Sequence, residues 1–126
     1  FGPAIPRGPA ESGVADVLLR DERHLWVLER AWSLATGVSV RLYEADLQGA
    51  SDTLGTATLR PGRYRPASKR LLLDFQHSGL PHLDNFEAMA WGPATPNGGR
   101  ALVLCTDDNF NPLQVTQFAA FDVIDR

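Results

Sequence analysis

Apolar residues occur along this chain in short runs, separated by glycine, proline and small polar clusters. The runs rich in Val, Leu, Phe and Trp cover residues 14–19, 24–30, 38–47, 70–75, 86–91, 100–106 and 114–123. Their length and side-chain types predict seven strands. Alternation is plain over residues 38–46, where Val38, Val40, Leu42 and Glu44 fall on one face of a pleated strand. No segment sustains the i, i+3, i+4, i+7 apolar spacing of an amphipathic helix. Residues 31–35 are short enough for one helical turn at most. The pattern predicts an all-β chain.

The runs also repeat. A shift of 76 residues lays Trp26 on Leu102, Leu28 on Leu104, Leu42 on Phe118 and Asp46 on Asp122. Each copy reads as a series of strands in which acidic residues close the apolar run, Glu29 in the first and Asp107-Asp108 in the second. The first copy has a fourth candidate strand at residues 70–75, and the second stops one strand earlier. That is the pattern of about two antiparallel blades of an incomplete β-propeller, whose missing strand comes from elsewhere in a closed ring. Residues 1–9 and 60–66 read as irregular connectors. Residues 48–68 are long for a connection within one blade, and such loops tend to be functional or to lie at one end of a ring.

Composition narrows the classes. The chain has 126 residues, 44% of them hydrophobic and 21% charged, which suits one ordinary globular domain. Twelve basic residues stand against fifteen acidic ones, for a net charge of −3, and Lys69 is the single lysine. Nucleic-acid binding needs clustered cations, so this balance speaks against it. No apolar run approaches the ~20 residues that a membrane-spanning helix needs. One cysteine, Cys105, allows neither an internal disulfide nor a cysteine-based zinc site. The sequence opens at Phe1 with no recognisable leader, as in a mature or excised polypeptide.

Three tracts carry candidate chemistry. In the first, Asp84 to Pro93, Asn85 and Glu87 stand two apart and share a face in a strand, where they can offer oxygen ligands to calcium. The ordinary alternative is a capped turn with Glu87 solvated or paired to an arginine. In the second, Asp107, Asp108 and Asn109 follow a strongly apolar run. Adjacent carboxylates repel unless compensated, which suggests a metal site or an acid/base pair. The alternative there is an Asx-turn. The third is Glu29-Arg30, read at a strand end, where strand ends of successive blades would gather. Its alternative is a local surface pair.

Other signals are weaker. His24, His77 and His82 lack metal-pair spacing, and His77 and His82, on a loop segment, read as ordinary surface residues. No G-x-S-x-G nucleophile elbow is present. Residues 97–100 read as a hairpin turn, Cys105 as a small buried hydrophobe, and the three tryptophans as packing residues.

Five tracts occur in order: Val27-Leu-Glu-Arg30, Lys69-Arg-Leu-Leu-Leu-Asp74, Asp84-Asn-Phe-Glu-Ala-Met-Ala-Trp-Gly-Pro93, Asp107-Asp-Asn-Phe110 and Gln114-Val-Thr-Gln-Phe-Ala-Ala-Phe121. Together they resemble the C-terminal portion of the phytase-like domain family, also described as having esterase-like activity of phytase. The resemblance implies a β-propeller several hundred residues long, of which residues 1–126 form the C-terminal segment. It implies a periplasmic or secreted setting and a calcium-dependent ester or phosphoester hydrolase acting on a small anionic ester. Carried over residue by residue, it implies calcium ligands at Glu29, Asn85, Glu87, Asp107, Asp108 and Asn109. It places Glu29, Arg30, Glu87 and Asp108 in the catalytic set, with Arg30 orienting the anionic substrate. Ala88 stands where the family has glycine after the glutamate, which restricts close backbone approach there. The partners implied are the remaining N-terminal propeller segment or a second copy. The competing reading is a non-catalytic propeller that binds a partner and holds at most a structural metal.

Overall fold

The computed structural model describes residues 10–124. Seven strands run in chain order: β1 (Ala10–Leu19), β2 (His24–Ser33), β3 (Gly37–Asp46), β4 (Ser68–Asp74), β5 (Phe86–Ala94), β6 (Arg100–Thr106) and β7 (Phe118–Val123). A 3-10 turn, Phe75–His77, follows β4. The strands form two antiparallel sheets, β1-β2-β3-β4 and β5-β6-β7, each ordered as in the chain. Among the described residues no helix is long and apolar enough to cross a membrane.

The repeat seen in the sequence is structural. Shifting β1, β2 and β3 by 76 residues brings them onto β5, β6 and β7, and only the first sheet has a fourth strand. The pairing is not identical in the two copies. Leu28 faces Leu42 in the first sheet, whereas Leu104 faces Ala119, one residue beyond the equivalent of Leu42, in the second. The architecture is all-β, with two blade-like sheets and no closed ring.

Alternation decides which face is buried. Trp26 and Leu28 on β2, with Val40 and Leu42 on β3, point toward the second sheet and meet Phe86, Met89, Leu102, Leu104 and Ala119. Leu28, Val40, Phe86 and Leu104 are fully buried. Phe75, set by the 3-10 turn, packs against Phe86 and edge-on against Phe121. Trp26 and Trp91 touch between the sheets, with ring centroids 4.9 Å apart. The two sheets meet along β1 and β5, where Asp16 at a bulge in β1 accepts the backbone N–H of Met89 at 2.8 Å.

Apolar residues stand on the opposite faces too, on the first sheet among Glu29, Arg41 and Lys69. Val14, Val17, Leu19 and Leu71 are exposed on the far side of the first sheet, around buried Val27 and Ala45. Ala88, Ala90, Val103, Cys105 and Ala120 line the far side of the second. Sheets apolar on both faces are those that stack between neighbours.

Several expectations need correction. Residues 31–35 form no helical turn: Ala31–Ser33 continue β2, pairing with Ser39–Gly37, and the chain reverses at residues 34–36 with Gly37 at φ +69. Glu29 and Arg30 therefore lie inside β2 and not at its end. Phe75 leaves β4 because Asp74 caps the 3-10 turn by accepting the Gln76 N–H. Strand β7 starts at Phe118, not at residue 114, because side chains take the preceding backbone donors. The Val115 N–H goes to Asp84 and the Gln117 N–H to Thr106 Oγ1. Cys105 is only half-buried, on the far face of the second sheet, and Trp32 is 38% exposed. The hairpin turn lies at residues 95–99, with Gly98 N donating to Thr95 O. The connector expected at residues 1–9 lies outside the described residues.

Candidate functional site

One end of the molecule collects the acidic and amide tracts. It is the end where β5 begins and β6 finishes. Phe86, the first residue of β5, pairs with Thr106, the last of β6. That single register pair sets Asn85 and Glu87 beside the segment that opens with Asp107, although the two tracts lie about twenty residues apart. Asn85 is buried, and its Nδ2 donates to Glu87 Oε1.

After β6 the chain turns through a series of Asx-turns. Asp107 Oδ1 accepts the Asn109 N–H at 3.4 Å, and Asp108 Oδ1 accepts the Phe110 N–H at 3.0 Å. Asn109 and Phe110 sit in the left-handed region, with φ of 50 and 56. Asn109 bears such a φ better than a phenylalanine, because short polar side chains tolerate it. Phe110 itself is wholly exposed. The Asx-turn alternative thus describes the local backbone, and each aspartate spends one carboxylate oxygen on it.

Asp84 ties the approach to β5 to the β6–β7 connection. It is only 4% exposed, and its oxygens accept the N–H of Asn85 at 2.7 Å and of Val115 at 2.9 Å. His82 Nε2 stands 3.6 Å from the same carboxylate. Burial alone pushes the Asp84 carboxyl up, but the two backbone donors and His82 outweigh it and hold it below the ordinary value. Thr106 adds a second tie, donating to Val115 O and accepting from Gln117 N.

Arg30 and Glu29 are divided by the pleat. Arg30 shares its face with Leu28 and pairs with Gly13 on β1. With Glu11, Ser12, Gly13 and Val14 it lines a cavity of about 160 Å³, and a Cβ at Gly13 would meet nothing within 4 Å. Glu29 projects from the other face, where it is ion-paired with Lys69, whose ammonium also lies over the Tyr43 ring. The register therefore brings the backbones of the Asn85–Glu87 and Asp107–Asn109 tracts to one end of the second sheet, and the pleat sends Glu29 away from Arg30. Sequence reading gave Asp84 no role beyond opening its tract, and took His82 for an ordinary surface residue. The signal available for Asp84 was its place two residues before an apolar strand, where a carboxylate caps backbone donors.

The donors gathered here are all oxygens, the type calcium prefers, but calcium takes six to eight of them. Among the described residues no group of three or more His, Cys, Asp or Glu is placed to hold a metal ion. In kind the donors fit calcium. In number they fall short of a closed shell.

The family model described as Phytase-like, esterase-like activity of phytase, matches residues 3–110. Neither a curated protein nor a solved structure matches the chain. The match takes in β1 to β6 and every tract that supplies the candidate residues, and on that ground the chain belongs to the phytase-like family.

Proposed function

We propose that this chain is the C-terminal part of an ester or phosphoester hydrolase of the phytase-like propeller type, dependent on calcium. The observation that carries the reading is the Phe86–Thr106 register pair, which sets the Asn85–Glu87 and Asp107–Asn109 tracts side by side. Arg30, lining its cavity beside β1, would orient an anionic ester. Glu87, Asp107 and Asp108, with the amides of Asn85 and Asn109, would supply part of a calcium shell. The remaining oxygens would come from other blades. A bound calcium ion would offset substrate charge and acidify water. Glu29, turned to the far face and paired with Lys69, would join such a set only at a junction with a neighbouring blade.

The apolar far faces of both sheets support the expectation that further blades cover them, whether from the remaining N-terminal segment or from a second copy. Family membership supports a periplasmic or secreted setting.

A second reading is favoured by one observation: Asp107 and Asp108 are used to build the turn itself, and no acidic triad converges among the described residues. In that reading the protein is a non-catalytic propeller that binds a partner and holds at most a structural metal. Two measurements separate them. Thermal melts in millimolar calcium and in excess chelator test for the ion, since a ligand at ~100 times its Kd adds about 2.7 kcal/mol. Turnover of phosphomonoesters, phytate and short acyl esters by the full-length protein tests catalysis. A calcium-dependent melt with turnover supports the hydrolase; a protein that turns over none of these substrates is the binding module.

A further inference from the structure

We infer that the long loop between β3 and β4 is a peripheral contact for an anionic lipid surface; the inference is independent of the hydrolase reading. Residues 53–73 contain Arg60, Arg63, Arg65, Lys69 and Arg70 and no Asp or Glu. Two of these cations are matched within the fold, Lys69 by Glu29 and Arg70 by Glu44. Arg60, Arg63 and Arg65 are exposed, and among the described residues no carboxylate pairs with them. Three guanidiniums left without carboxylates, on a chain of net charge −3, are placed to take oxyanions from outside.

The same loop carries apolar side chains into solvent. Leu54 is 96% exposed, Leu59 52% and Tyr64 37%. A free anion would leave the leucines in water, and an apolar protein face would leave the arginines unmatched. A bilayer surface with anionic headgroups takes both. Its phosphates meet the cations, while the leucine and tyrosine side chains enter the boundary between headgroups and acyl chains.

The backbone holds this loop in shape. Its neck is closed at Ser51, whose N–H donates to Arg65 O and whose Oγ accepts the Arg65 N–H, both at 2.9 Å. The Arg63 N–H donates to Arg60 O at 3.0 Å across Pro61 and Gly62, with Gly62 at φ +78, the form of a type II turn. That turn sets the Cα atoms of Arg60 and Arg63 within ~7 Å of each other. The Thr56 N–H donates to Thr53 O at 2.9 Å, which puts Leu54 at the centre of a second turn. The loop also stands apart from the acidic tracts. Strands β1 and β5 run the same way, since Asp16 meets Met89 and Leu19 meets Trp91. Strand β3 ends beside the start of β2, where β1 ends, whereas the acidic tracts lie where β5 begins. Lipid contact through this loop therefore keeps the candidate site at the end away from the bilayer.

The test is sedimentation of the full-length protein with vesicles of phosphatidylcholine alone or mixed with phosphatidylglycerol. Binding is expected to the mixed vesicles only, and it should weaken as salt is raised. Arg60→Gln, Arg63→Gln and Arg65→Gln together should lower the partition about a hundredfold, at roughly fivefold for each cation. Leu54→Ser with Leu59→Ser should weaken it as well. All five positions are exposed, so both variants should melt with the wild type, which shows that lost binding is not lost folding. Equal binding by the wild type and the arginine variant, or no binding to the mixed vesicles at low salt, overturns the inference. Displacement by inorganic phosphate beyond that by chloride at equal ionic strength would make the loop a site for a free phosphate, and would overturn it too.

Discussion

Asp16 Oδ2 accepts the backbone N–H of Met89 at 2.8 Å, although the two residues lie 73 positions apart. This hydrogen bond links the two sheets at their shared border. The other oxygen of Asp16 accepts the N–H of Val17, just past the β1 bulge. A carboxylate can serve both donors, whereas an asparagine side chain has one oxygen for them. Removing the acceptor leaves the N–H of buried Met89 unmet. Asp16→Ala should therefore cost about 1–3 kcal/mol, with Asp16→Asn between it and the wild type. Urea unfolding followed by tryptophan fluorescence reads this directly: a lower midpoint at unchanged slope is expected, and an unchanged midpoint would show that the link contributes nothing.

Gly98 and Gly99 adjoin in one turn but answer to different constraints. Gly98 has φ +81 with open space around it, so alanine there should cost about 1 kcal/mol through backbone strain alone. Gly99 has an ordinary φ, but an added Cβ would lie 3.0 Å from the Val123 carbonyl carbon and nearer still to Val123 O and Asp122 Oδ1. Asp122 is held in place by Thr95 and Asn97. Gly99→Ala must displace β7 or break that cluster, at about 1–3 kcal/mol. Melting temperatures of the two variants should fall in that order, with Gly99→Ala the lower.

The fold was readable because alternation is a local signal: Val40 and Leu42 are buried where the two-residue period puts them. The repeat was readable because the apolar strands of both blades recur at a similar spacing, although β1 to β3 have ten residues each and β5 to β7 nine, seven and six. The end of β2 was not, since Trp32 and Ser33 offer no apolar alternation and are held by pairing across a hairpin whose turn lies later in the chain. The start of β7 was hidden for a similar reason. Val115 and Gln117 look like strand residues, but side chains 31 and 11 positions away claim their N–H groups. In the site, the tracts stood out by residue type. The opposed directions of Glu29 and Arg30 follow from the pleat once the strand is known to continue past them. Beyond its capping position, the part played by Asp84 was hidden, because its long-range partner, the Val115 N–H, lies 31 positions away on the β6–β7 connection.

Acid should weaken the fold in a defined direction. Asp74 and Asp84 lie below the ordinary carboxylate value even though burial pushes them the other way, because Arg41 and Gln76 N hold the first and Val115 N, Asn85 N and His82 the second. Glu44 is lowered by Arg70 and Trp26. Asp21, lowered from 3.8 to about 2 by the Arg23 N–H and His24, belongs with them. A carboxyl with a depressed native pKa contributes stability that is complete above its unfolded value and lost as pH falls through the native one. Melting temperature should therefore hold steady down to about pH 5 and drop steadily from about pH 4 to pH 2. Asp84→Asn should flatten that acid slope, and a slope identical to wild type would remove Asp84 from the set.

The two extremes of leucine burial give the last expectation. Leu104 is wholly buried at the centre of β6, between sheets, and belongs to the same cluster as Leu28 and Met89. Leu54 is 96% exposed in the β3–β4 loop. The two leucines lose the same atoms on truncation to alanine, so any difference in cost measures surroundings. Leu104→Ala loses its transfer energy and leaves a cavity that strands pinned at Phe86–Thr106 and Asp16–Met89 cannot collapse around, for about 2–5 kcal/mol. Leu54→Ala should stay within about 0.5 kcal/mol of the wild type. Equal losses in equilibrium unfolding would mean that the face between the two sheets is not the core, and with it the blade-like packing that holds the candidate site would have to be abandoned.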